Sequence, residues 1–209
     1  NGTKCLNSVT SISIADDKVL TYQRLLENNI PQIETEIIPL KLEDMENFLY
    51  KKKEAVFKMP HGGQGRWVRR AGNISDVKSI FEEFSAEKQV PIVAQPFIEE
   101  AHGESIRMIV VNGRVIASSL RKGTNDWRSN ISIGGEQVIY SPTFEEVQIA
   151  IAGSQAIKLG VAGVDIIHTN SGPKIIEINA CPDFTSMESI GYKNIAVEII
   201  KELLNSNGQ

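Results

Sequence analysis

Residues 161–179 read V-A-G-V-D-I-I-H-T-N-S-G-P-K-I-I-E-I-N, two apolar runs joined by an Asn-Ser-Gly-Pro turn, each carrying an acid. Asp165 lies in the first run; Glu177 and Asn179 lie in the second. Strand side chains alternate between faces, so Glu177 and Asn179 point the same way, and a hairpin turn brings Asp165 alongside them. Burying carboxylates in such a sheet is costly unless something compensates the charge. A hard divalent cation does so, and magnesium needs few protein ligands because water and phosphate oxygens complete its octahedron. The alternative is an acid-bearing hairpin with one polar face in solvent.

A second stretch bears on that choice. Residues 56–68, V-F-K-M-P-H-G-G-Q-G-R-W-V, read as a strand ending in Lys58, a glycine-rich loop and another short strand. Glycines at 62, 63 and 65 let the backbone approach a phosphate and turn its N–H groups inward. Lys58 adds a point charge on the same phosphates. The spacing is neither G-x-x-x-x-G-K-[ST] nor a G-x-G-x-x-G opening a helix, so the P-loop and dinucleotide readings fail. A strand lysine, a glycine-rich loop and a downstream acidic hairpin together point to a magnesium–phosphate site.

Composition is compatible with an enzyme domain. The 209 residues can hold one large domain or two lobes, and 41% hydrophobic with 23% charged residues is ordinary for a globular protein. No apolar run approaches the roughly 18 residues of a membrane span, and no signal peptide heads the chain, so no membrane partner is expected. Cys5 and Cys181 are too few for a disulfide framework, which makes the cytoplasm the expected location. A net charge of −4 argues against nucleic acid as a partner. Two basic strips stand out nonetheless. Residues 56–73 carry Lys58, Arg66, Arg69 and Arg70 with no acid; residues 107–128 carry Arg107, Arg114, Arg121, Lys122 and Arg128 against Asp126. They suggest a local site for a polyanion.

The elements that must position these residues alternate between helix and strand. Residues 16–29 carry Val19, Leu20, Leu25 and Leu26 on one helical stripe, and a short helix is expected over 44–53 before a strand at 54–59. Asn73 or Ser75 caps a helix running to about 89, and Pro91 opens the strand I-V-A-Q-P-F-I. Residues 105–121 form a hairpin around Asn112-Gly113. Thr143 caps a helix to about 159 that Gly160 terminates, and a last helix covers 193–204.

Six stretches, A-D-D-K (15–18), V-F-K-M-P-H-G-G-Q-G-R (56–66), Q-P-F-I-E-E-A-H-G (95–103), R-S-N (128–130), A-G-V-D (162–165) and E-I-N (177–179), together resemble the ATP-grasp superfamily. The similarity is to the branch containing ribosomal-protein glutamate ligase and the amino-group-carrier ligases of lysine biosynthesis. It implies an α+β, two-lobed fold, each lobe an antiparallel-rich sheet with helices, gripping the nucleotide between them. Residues 1–15 would be the tail of an N-terminal domain, 16–98 the lobe with the glycine-rich loop, and 99–209 the magnesium lobe. The implied activity is ATP- and magnesium-dependent joining of a carboxylate to an amine through an acyl phosphate, with manganese as a substitute metal. An amino acid, a peptide or an acceptor protein would be the partner, and homo-oligomers are left open. The alternative is a kinase-like or regulatory nucleotide-binding domain.

The resemblance also implies roles. Lys18 and Lys58 grip phosphates or the adenine edge, and Gly62, Gly63, Gln64 and Gly65 form the phosphate loop. Gln95, Phe97 and Ile98 lie where backbone groups read adenine; Ser129 belongs to the ATP site, and Asn130 faces the transferred phosphate and metal. Asp165, Glu177 and Asn179 are the metal ligands, Arg128 faces the transferred phosphate and metal, and Arg121 holds a substrate carboxylate or the acyl phosphate. Three features depart from the family pattern. Ser105 stands where an acid often serves the ribose, with Glu104 beside it. The segment A-C-P-D-F after Asn179 blends the two ligase types, placing Asp183 where it could attract the incoming amine or simply cap its loop. The chain begins where an N-terminal domain would already be complete.

Overall fold

The computed structural model describes residues 4–63, 65–87, 91–124, 127–129, 131 and 134–205. Helices α1 (Val9–Asp16) and α2 (Lys18–Glu27) come first, where one helix over 16–29 was expected. Asp17 makes the break. Its backbone is extended, at φ −107° and ψ 110°, and its carboxylate caps α2 by accepting from the Val19 and Leu20 N–H groups. A short polar side chain that bonds forward satisfies the orphan donors of a new helix better than it continues an old one.

Four strands, β1 (Glu36–Ile38), β2 (Ala55–Lys58), β3 (Val68–Ala71) and β4 (Ile92–Pro96), form an antiparallel sheet in the order β1-β4-β2-β3. Helices α3 (Leu42–Lys52) and α4 (Ile74–Ser85) cover it. Phe48, Phe57, Phe84 and Met45 fill that core. Asn73 caps α4 as expected, accepting from the Asp76 N–H at 3.0 Å, and the helix stops at Ser85 rather than near 89.

A 3-10 turn at Glu99–Ala101 leads into the second sheet. Its strands are β5 (Glu104–Val111), β6 (Arg114–Lys122), β7 (Glu136–Ile139), β8 (Val161–Thr169) and β9 (Gly172–Asn179), in the antiparallel order β7-β6-β5-β8-β9. Asn112 and Gly113 both take positive φ, 43° and 74°, the backbone that a tight hairpin turn requires. Helix α5 (Phe144–Ala156) starts from a full capping box between Thr143 and Glu146 and packs on β8 and β9. Helices α6 (Thr185–Ser189) and α7 (Ile195–Asn205) complete the chain. Tyr22, Leu25 and Ile30 share this second core with Met108, Val164 and Ile178, so α2 lies against the five-stranded sheet.

Gly160 is not the cap of α5. The helix ends at Ala156, and Lys158 takes the left-handed backbone at φ 59°. Gly160 is needed for another reason: a Cβ there would sit 2.4 Å from the Leu6 carbonyl oxygen. The early chain runs that close because the Asn7 side chain donates to the Val161 and Ala180 carbonyls, each at 2.8 Å, and accepts from the Val161 N–H at 2.9 Å.

Candidate active site

A cleft open to solvent runs between the two sheets. Its walls include Lys18, Lys58, Gly62, Gly65, Gln95, Phe97, Ile98, Arg128, Ser129 and Glu177. Ten residues singled out by the sequence, drawn from seven separate elements and loops, therefore meet on one surface. Gln64 and Asn130 lie outside the described residues. Ser105, Arg121, Asp165 and Asn179 do not line the cleft itself but stand on the five-stranded sheet with Glu177; Asp183 lies in the loop between β9 and α6, and Gly63 sits in the open on the glycine-rich loop.

The phosphate end of the cleft is built from β2, its loop and α2. Strand β2 carries Lys58 inward, where its ammonium lies 3.3 Å from the Tyr22 hydroxyl, which in turn donates to the Ile176 carbonyl at 2.5 Å. Burial pulls the Lys58 pKa down to about 8, against the opposing charges of Glu177 and Asp165; burial likewise lowers Lys18. Tyr22 is pushed up by burial, so it stays a neutral donor. Two desolvated lysines facing one cleft are held at a cost that a polyanion would relieve. The Lys18 ammonium donates to the Gly62 carbonyl at 2.6 Å, and its backbone N–H donates to Pro60 at 2.9 Å. Gly62 and Gly65 use positive φ, 118° and 71°, to make the loop. Arg128 reaches across from the other lobe and donates to the Gly65 carbonyl at 2.8 Å.

The opposite end is apolar. Phe97 packs edge-on against Trp127, with ring centres 5.7 Å apart, and the Arg70 guanidinium covers the Phe97 ring at 3.7 Å. Val56, Ile33 and Ile176 add to the lining. Pro96 has no N–H and Phe97 donates its own to the Glu54 carbonyl at 3.1 Å. A flat base reading the backbone here would use Ile98. Glu104 lines the cleft, held by Lys122 at 2.9 Å, whereas Ser105 is buried and bonds to Ser129.

Behind the cleft the acidic hairpin has the register expected of it. Asp165 pairs directly with Glu177 across β8 and β9, and Gly163 pairs with Asn179, so all three oxygen-bearing side chains share a face. Among the described residues no group of three or more His, Cys, Asp and Glu side chains is placed to hold a metal; this site has two carboxylates and an amide. Hard oxygen donors, few in number and beside a phosphate-sized cationic cleft, fit magnesium.

Sequence reasoning missed one residue of this group. Arg107 stands opposite Asp165 on β5 and grips both carboxylate oxygens in a two-pronged pair, with side-chain exposures of 8% and 7%. Burial would lower the Arg107 pKa, but the charge and hydrogen bonds of Asp165 outweigh it and raise it. Gly163 makes room: a Cβ there would meet Pro182 at 2.7 Å and the Arg107 guanidinium at 3.1 Å. The available signal was an arginine and an aspartate, each in the middle of an otherwise apolar strand. Arg121, further along the sheet, is pulled down to about 10 by burial and by Arg107. Asp183 accepts from the Thr185 N–H and hydroxyl, at 3.0 and 2.6 Å, and these bonds hold its pKa down.

Two antiparallel sheets with helices, closing on a cleft of glycine-rich loop, paired lysines and an acidic hairpin, define an ATP-grasp architecture. The profile of the RimK-like ATP-grasp domain matches residues 15–203, and the chain belongs to that family. A probable alpha-L-glutamate ligase of Haemophilus influenzae is 34% identical over 95% of this chain and 67% of its own length. The ATP-grasp ligase PsnB, solved with a minimal precursor, superposes with a TM-score of 0.76 at 20% identity, covering 98% of this chain and 65% of that one. A RimK domain ATP-grasp protein from Sphaerobacter thermophilus gives 0.73 at 16% identity, over 96% and 70%. The chain thus spans about two thirds of the length of these relatives. Among the described residues no helix is long and apolar enough to cross a membrane.

Proposed function

We propose that this chain is the catalytic part of an ATP-dependent carboxylate–amine ligase that phosphorylates a carboxylate and lets an amine displace the phosphate. The single observation that carries the reading is the convergence of Lys18, Lys58 and the glycine-rich loop on Glu177, the outer member of the Asp165–Glu177 pair. Phosphoryl transfer is catalysed mainly by positioning and charge neutralisation, so this set needs no dedicated nucleophile. Adenine lies in the apolar end between Val56, Ile176 and Phe97, read by the Ile98 backbone. Lys18, Lys58, Arg128 and the loop hold the phosphates. Asp165, Glu177 and Asn179 would hold magnesium, which would supply charge neutralisation on the phosphate oxygens. Arg107 grips both carboxylate oxygens of Asp165 and fixes its rotamer. The structural neighbour PsnB has been solved with magnesium and ADP, which supports the same pairing here. The names of the curated relatives favour L-glutamate as one substrate.

Glu177→Gln tests the reading, because it keeps the shape and removes one charge. Turnover should be lost while the unfolding transition stays within a few degrees of wild type. A fully active Glu177→Gln protein rules the assignment out.

A further inference from the structure

The Tyr22 hydroxyl touches both halves of the candidate site, and the reading above gives it no task. Tyr22 belongs to α2, is 4% exposed and packs with Leu25, Val164 and Ile178 in the core of the five-stranded sheet. Its oxygen nonetheless reaches the end of β2 in the other sheet, 3.3 Å from the Lys58 ammonium. On its other side it lies 2.5 Å from the Ile176 carbonyl of β9. Ile176 immediately precedes Glu177, and both line the cleft with Lys58. The Gln95 side chain, from β4, bonds to the same hydroxyl.

The direction of each bond follows from what the groups can do. A carbonyl only accepts, so the single hydroxyl hydrogen goes to Ile176. An ammonium only donates, so Lys58 spends one N–H on a hydroxyl lone pair and keeps the others for the cleft. The ring of Tyr22 adds to the hold, with the ammonium 5.9 Å from its centre. Lysine ends a flexible four-carbon stem, and the cleft beside this one is open to solvent. Without the hydroxyl the ammonium would swing toward water, and a phosphate would have to order it again on binding. With it, the charge is already in place.

We infer that Tyr22 is a positioning residue: it pins the Lys58 ammonium to the backbone of the strand that carries Glu177, and so fixes the cationic and acidic sides of the site relative to each other before a nucleotide arrives. This assignment rests on the ligase reading, in which Lys58 holds phosphate. Tyr22 itself touches no phosphate in it and acts only through Lys58.

A double-mutant cycle tests the assignment. Tyr22→Phe keeps the ring and removes only the hydroxyl. Calorimetry gives the affinity for magnesium with the non-hydrolysable β,γ-imido analogue of ATP in wild type, Tyr22→Phe, Lys58→Met and the double variant. Tyr22→Phe should weaken binding about fivefold to tenfold when Lys58 is present, and less than about twofold when it is methionine. A tyrosine that only supports the fold predicts the same loss in both backgrounds. That result overturns the inference, and so does wild-type affinity in Tyr22→Phe. Carbon-13 relaxation at the Lys58 ε-carbon of the nucleotide-free protein provides a readout independent of binding. The stem should be more mobile in Tyr22→Phe than in wild type, and equal mobility overturns the inference. A loss of affinity in Lys58→Met without one in Tyr22→Phe removes the role of Tyr22 and leaves the ligase reading standing. Wild-type affinity in Lys58→Met removes both.

Discussion

Replacing Arg107 by methionine should destabilise the protein severely, and magnesium should restore part of the loss. Arg107 and Asp165 are 7% and 5% exposed and bonded through both carboxylate oxygens, so truncating the arginine strands a buried anion. Glu177, its direct neighbour across β8 and β9, adds a second negative charge to the same patch. Methionine keeps most of the apolar stem, which leaves the electrostatic part dominant. Breaking one partner of a buried pair costs about 3–5 kcal/mol. For a domain of this size each kcal/mol lowers the melting temperature by roughly 2–4 °C, so a drop of roughly 6–20 °C is expected. Thermal unfolding followed by circular dichroism, with and without millimolar magnesium, measures it. Magnesium should stabilise Arg107→Met more than wild type, because a cation would replace the lost one. A melting temperature within 2 °C of wild type, or no extra response to magnesium, would refute the assignment of Arg107 as the counter-charge of the metal acids.

Lys58→Ala should weaken magnesium–ATP binding by about 1.5–3 kcal/mol, the range for a charged hydrogen-bonding group, as read by calorimetry. The pH dependence has opposite signs for stability and binding. Because Lys58 titrates near 8 when folded and an unfolded lysine near about 10.4, the unfolded chain binds more protons between those values, and the nucleotide-free protein gains stability as pH rises through that window. Magnesium–ATP affinity should fall over the same range, since only the ammonium form neutralises phosphate, and binding at pH 8.5 should take up protons that Lys58→Ala does not. Thr143→Ala removes the side-chain arm of the α5 capping box, the hydroxyl that accepts from the Glu146 N–H, and should cost about 1 kcal/mol in urea unfolding without altering nucleotide affinity.

The acidic hairpin was legible because period-2 alternation and a four-residue turn signal determine register almost by themselves, and Asp165 does face Glu177. The Asn112-Gly113 turn and the Asn73 and Thr143 caps were legible for the same kind of reason: local chemistry settles them within a few residues. What depends on distant contacts was not. Nothing local says that Gly160 is there for the Leu6 carbonyl, which is brought close by Asn7 from the other end of the chain. The apolar stripe of α2 identifies a buried face but not the sheet it covers. The short strands β1 and β7 and the five-residue helix α6 are too brief to carry a period. Arg107 was visible only as one member of a basic strip, because its partner lies 58 positions away and appears only once β5 and β8 are paired.

Product analysis tests the central reading most directly. The protein, supplied with magnesium–ATP, L-glutamate and a peptide acceptor, should release ADP and phosphate in equal amounts, with one new amide bond per phosphate seen by mass spectrometry. Release should collapse when either the acid or the amine is withheld. ATP turnover that is indifferent to the amine, or a stable phosphorylated product with no amide, would contradict it and favour a kinase-like role.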